Sequence, residues 1–143
     1  MSTAGSELIC SALTESMKVT SAIGAFLLVQ SNASNPFLAE LATNEAGVIG
    51  RTDQQVTAVD IAIGGVYGRV AVSKLVPGSI LQLTADGIIA IGSHVGLGSN
   101  GKITYLTPSG TPVSQYCVGV LLQGSAADGN LVNVRIKNRY IDW

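Results

Sequence analysis

Residues 115–137 read QYCVGVLLQGSAADGNLVNVRIK and decide the fold class. Two apolar runs, Tyr116–Leu122 and Leu131–Ile136, flank a small polar loop that ends in Asp128-Gly129. In the second run Val132, Val134 and Ile136 alternate with Asn133, Arg135 and Lys137. A period of two belongs to a strand with one buried and one wet face. The first run is apolar throughout, as in a strand covered on both sides. The pair is expected to close a small β core.

An earlier stretch echoes this unit. Ala46-Gly-Val-Ile-Gly-Arg51 resembles Tyr116-Cys-Val-Gly-Val120, and Val66-Tyr-Gly-Arg-Val70 resembles Val132-Asn-Val-Arg-Ile136. Self-similarity of this kind marks a candidate internal duplication, here 25–72 against 94–137. Chance likeness among Val- and Gly-rich strands is the alternative reading. If the duplication holds, Arg69 and Arg135 occupy equivalent wet positions.

Working outward, strands are expected at 18–21, 25–30, 37–42, 47–51, 56–63, 66–72, 79–84, 88–91, 102–106, 116–122 and 131–137. Asn35-Pro36, Pro77-Gly78, Asp86-Gly87, Asn100-Gly101 and Asp128-Gly129 punctuate them, and Asn-Gly and Asp-Gly tolerate the positive φ of tight hairpins. Many short strands at regular spacing give an all-β fold, a small β-barrel or sandwich, with the body spanning 21–143. No helical period is expected after residue 20. Residues 1–20 read as an N-terminal arm, helical or extended, with Leu8, Ile9, Leu13 and Met17 as its large apolar groups. The C-terminal Tyr140 and Trp143 are expected to be docked on the body or on a neighbour.

The chain has 143 residues, enough for one domain with a real core. Charged residues make up 12%, about half the usual share, so little charge keeps copies apart. That composition suits a subunit lodged permanently against neighbours, and a homo-oligomer is expected. The net charge of −1 gives nucleic-acid binding no electrostatic support. The apolar run 21–29 is too short to span a bilayer, and no basic segment precedes an apolar one at the N-terminus, so neither membrane insertion nor a signal peptide is expected. Cys10 and Cys117 are too few and too far apart for a disulfide framework, and Cys117 reads as a small buried hydrophobe.

Candidate chemistry is thin. Gly96-Leu-Gly-Ser-Asn-Gly101 matches a dinucleotide-binding fingerprint, but the residues after it read as a strand ending at Pro108, whereas phosphate binding needs a helix N-terminus there. A glycine-rich hairpin is the expectation. His94, the single histidine, has no thiolate or carboxylate partner at ligand spacing and reads as a strand-edge residue. Asp86 and Asp128 precede glycines and read as turn residues. No enzymatic activity, cofactor or metal is expected. Arg51, Arg69, Arg135, Lys137 and Arg139 are either solvated or available to acidic groups of a partner.

Four stretches carry a family resemblance: Val76-Pro-Gly-Ser-Ile-Leu-Gln-Leu83, Asn100-Gly-Lys-Ile-Thr-Tyr-Leu106, Cys117-Val-Gly-Val-Leu-Leu122 and Gly129-Asn-Leu-Val-Asn-Val-Arg-Ile136. Over about residues 60–137 the chain resembles the capsid decoration, or cement, proteins of tailed bacteriophages. The resemblance implies a small β-rich body, often a homotrimer, whose N-terminal arm lies on the major capsid protein. It implies a virion protein on the outer capsid surface, made in the host cytoplasm, with no catalysis and no cofactor. Capsid contacts are assigned on this reading to Leu8, Ile9, Leu13, Met17, Tyr140 and Trp143. Removing residues 2–17 is expected to leave a folded body that no longer decorates capsids. The competing readings are a carbohydrate-binding β module, a β-fold hydrolase built on His94, and a structural component of the tail or baseplate.

Overall fold

The computed structural model describes residues 13–107, 114–123 and 127–142. The strands are β1 (Thr14–Lys18), β2 (Leu28–Ser31), β3 (Ala39–Leu41), β4 (Val48–Thr52), β5 (Arg69–Ser73), β6 (Ile80–Thr84), β7 (His94–Leu97), β8 (Ile103–Tyr105), β9 (Ser114–Leu121) and β10 (Leu131–Asp142). An α-helix, α1 (Ala58–Ile63), lies between β4 and β5. The strands form two five-stranded antiparallel sheets, ordered β1-β5-β4-β2-β3 and β6-β10-β9-β7-β8. Neither sheet closes on itself, so the fold is all-β without a barrel.

The second order is the first one over again, with β6 in place of β1 and so on through β10 in place of β5. The registers agree as well. Met17 faces Val70 as Leu83 faces Val132, and Val29 faces Gly50 as Val95 faces Gly119. Backbone hydrogen bonds outside the ladders repeat too. The Phe26 N–H donates to Thr52 and the Gly92 N–H to Leu121; the Ala42 N–H donates to Leu28 and the Leu106 N–H to His94. The first echo in the sequence follows this correspondence, which sets Gly50 on Gly119. The second does not. Arg69 pairs with Lys18, whereas Arg135 pairs with Ile80 and matches Ser73, so Arg69 and Arg135 are not equivalent.

Each sheet builds its own core from matching positions. Met17, Ile23, Val29 and Val72 are buried in the first; Leu83, Ile89, Val95 and Val134 are buried in the second. Because neighbours on a strand point to opposite faces, Leu28 and Val29 go separate ways. Val29 enters the first core, and Leu28, with Ala42 and Leu75, enters the second. The other face of the first sheet thus helps to cover the second core.

Several sequence expectations are corrected by the fold. Residues 56–63 are not a strand. Only Val56 makes an isolated bridge, to Ile23, and Ala58–Ile63 is helical. The Thr57 hydroxyl accepts the Asp60 N–H while the Asp60 carboxylate accepts the Thr57 N–H, a capping box that starts a helix where β-branched residues favour a strand. The first strand is Thr14–Lys18 rather than 18–21, because those residues pair along β5 from Ser73 to Arg69, which places Met17 in the core. Ile88 to Ile91 form no strand; Ile89 alone is buried and the flanking Ile88 and Ile91 are exposed. His94–Leu97, absent from the expected strands, is β7.

Candidate interaction surfaces

The chemically suggestive residues resolve into structural contacts. Gly96–Gly101 lies at the end of β7 and in the turn to β8, so the glycine-rich motif makes a hairpin. In that turn the Asp86 carboxylate accepts the Ser99 N–H at 2.9 Å and the Ser99 hydroxyl at 2.7 Å. The Ser99 backbone N–H, followed by its hydroxyl, holds the Asp86 carboxyl below the usual carboxylate range. Asp60 is lowered likewise, by the Thr57 N–H first. Asp128 pairs with Lys102 at 3.2 Å. Cys117 is buried, and burial pushes its thiol up. Among the described residues no group of three or more His, Cys, Asp and Glu converges.

The residues expected to touch a partner are scattered. Leu8, Ile9 and Trp143 lie outside the described residues. Leu13 is 39% exposed, and its carbonyl accepts the Lys74 N–H at 2.8 Å. Met17 is 4% exposed and sits in the first core, on β1 opposite Val70 of β5; it has no surface to offer a partner. The chain from Thr14 onward therefore belongs to the first sheet, not to an arm. Tyr140 is 50% exposed, with its ring 5.6 Å from that of Tyr116.

Arg51 joins the two sheets. Its guanidinium lies 5.2 Å from the Phe26 ring centroid, pairs with Asp53 at 2.6 Å and donates to the Gln82 carbonyl on β6 at 3.1 Å. The Thr84 N–H donates to the Phe26 carbonyl at 3.0 Å. An otherwise open edge of β6 is so occupied by the first sheet, which removes a site for stray strand pairing. Among the other basic residues, Arg69 bonds to the Ser16 hydroxyl and carbonyl. Arg135, Lys137 and Arg139 make no ion pair among the described residues.

Several large apolar side chains stand on the outer surface. On α1 and the turn after it, Val59, Ile63, Val66 and Tyr67 are all exposed, and α1 buries none of its residues. Phe37, Ile88, Ile91 and Tyr105 add further exposed apolar area. Contiguous patches of this kind mark places where a protein meets a partner. Sequence reading missed the α1 patch because it took those residues for two strands, 56–63 and 66–72; Thr57 and Asp60 at capping-box spacing were the available signal.

This chain resembles a phage head-fibre base in fold. Among solved structures it is similar to the N base of head fiber gp8.5 of bacteriophage phi29, with a TM-score of 0.60 at 16% identity, over 90% of this chain and 97% of that one. At that identity the likeness is one of fold alone. No protein-family model matches the chain, and no curated protein matches it in sequence.

Proposed function

We propose that this chain is a structural protein of a tailed-phage virion, seated on the outer surface of the head, where it reinforces the assembled shell. The observation that carries the reading is the fold likeness to the head-fibre base, which extends over nearly the whole of both chains. Sparse charge and a surface rich in exposed Ile, Val, Tyr and Phe point the same way, towards a protein held by neighbours. On this reading the major capsid protein is the partner, the chain is a homo-oligomer, with a trimer expected, and it carries no reaction centre.

The mechanism is mass action. A protein that binds the finished shell and not its free subunits stabilises the lattice, by an amount that grows with the logarithm of its concentration over Kd. Several arms on one oligomer raise the effective concentration of each. The arm is residues 1–12, since β1 belongs to the body. Co-sedimentation with phage shells tests the proposal. The full chain is expected to pellet with shells, and the chain lacking residues 2–12 to stay folded in the supernatant. Failure of the full chain to bind any shell overturns the capsid role; unchanged binding by the truncated chain removes the arm from it.

A further inference from the structure

We propose that copies of this chain associate head to tail, with Tyr105 on the second sheet of one copy against Phe37 on the first sheet of the next. The inference deepens the self-association proposed above and does not depend on shell binding.

Inside one chain a joint between two like units is already built. At that joint Gly101, in the turn before β8, approaches β2 so closely that a Cβ on it would stand 2.6 Å from the Leu28 carbonyl oxygen and 3.2 Å from the Leu41 side chain. Leu28 and Leu41 thus form the seat on the first unit, and the Gly101 turn is what sits in it.

The repeated topology places a second seat and a second turn on the molecule. Leu28 pairs with Arg51 as His94 pairs with Val120, and Val29 pairs with Leu41 as Val95 pairs with Tyr105. Tyr105, beside a His94 that already has its own partner in the chain, therefore marks the seat on the second unit. The Asn32 N–H donates to Leu38 as the Gly98 N–H donates to Lys102, which sets Leu38 on Lys102 and Phe37 on Gly101. Phe37 is therefore the turn of the first unit. Within one chain both are uncovered: Phe37 is 80% exposed and Tyr105 56%. An exposed aromatic at each unused half of a joint is what a second copy would cover.

The joint between copies differs from the internal one in two ways. A phenylalanine cannot approach a backbone as Gly101 does, so the units stand further apart and the Phe37 ring fills the gap over Tyr105. The edge of β1 is also already engaged, since Arg69 bonds to the Ser16 carbonyl at 2.8 Å, in the place where Arg51 reaches Gln82 on β6. The new joint rests on side chains and is weaker than the internal one. Because its two sides are different surfaces, repetition produces a ring if the rotation closes and a filament if it does not.

Two variants of the full chain test this without any shell. Phe37→Glu blocks one side and Tyr105→Glu the other; both positions are exposed, and circular dichroism checks that each variant folds. By light scattering on a sizing column, the unaltered chain is expected to run as a multiple of its mass and each variant as a single chain. An equimolar mixture keeps one intact side on each partner, so its mass doubles and grows no further. A single-chain mass for the unaltered protein, wild-type assembly by either folded variant, or a mixture that stays single overturns the proposal. If either glutamate variant fails to fold, the serine variant at that position takes its place under the same criteria.

Discussion

Gly50 on β4 and Gly119 on β9 occupy the same place in the two sheets, and in each a Cβ would collide with a backbone carbonyl of the adjoining strand, Ser73 or Arg135. Backbone cannot yield as a flexible side chain can. Gly119→Ala and Gly50→Ala are each expected to cost about 1–3 kcal/mol in urea unfolding. Of the two, Gly119→Ala should cost more, because the Arg135 carbonyl stands closer to the added Cβ than the Ser73 carbonyl does, while Val134 and Val72 crowd the two sites alike.

Phe26 holds a positive φ of 60°, and the matching residue of the second unit, Gly92, has 85°. Glycine adopts this conformation freely, whereas phenylalanine is strained by roughly 1–2 kcal/mol. The strain is offset by the ring beneath the Arg51 guanidinium. A double-mutant cycle of Phe26→Leu and Arg51→Met is expected to show a coupling of about 0.5–2 kcal/mol. Simple additivity in thermal unfolding would mean the two side chains act separately.

Tyr116 is buried against Tyr140, and burial, aided by the negative charges of neighbouring groups, pushes its hydroxyl up to about 12. The folded state therefore keeps a proton that the unfolded chain gives up first. Stability from this group is complete below the ordinary value of 10.0 and is lost as the pH rises from there through about 12. Urea midpoints measured across that window should fall for the native chain and fall less for Tyr116→Phe, in which Asn138 also loses the tyrosine hydroxyl as a donor.

Thr57→Ala removes one half of the capping box and should cost about 1 kcal/mol at most, because α1 contributes little to the core. Faster hydrogen exchange confined to 58–63 is the expected signature. Val59→Ser and Ile63→Ser, on the exposed face, should change stability by no more than about 0.5 kcal/mol. A large loss at either would mean that the face is covered within the chain.

Much of the architecture was legible in the order of the residues. The alternation in 131–137 and the unbroken apolar run 116–122 announce β10 and a β9 covered on both sides, and both occur. Gly96–Gly101 reads as a hairpin because the next residues have the pattern of a strand and not of a helix, and a hairpin it is. The contact residues were less legible. Met17 looks like an arm residue because nothing in 1–20 shows which face of it will meet Val70, and that pairing joins positions far apart in the chain. Val56–Ile63 looks like a strand because β-branched residues dominate it, whereas a capping hydrogen bond, worth about 1 kcal/mol, selects the helix when no neighbouring strand is in reach.

By itself the sequence determined that the chain is built of short strands, where they turn, and which side chains are apolar enough to be buried, because periodicity and turn chemistry act between near neighbours. Only the tertiary structure decided that the two sheets share one strand order and that Leu28 leaves its own sheet for the other's core. It also decided that Phe37 and Tyr105 are left uncovered while Met17 is not. Those outcomes depend on pairings between residues distant along the chain, which set the face every side chain presents.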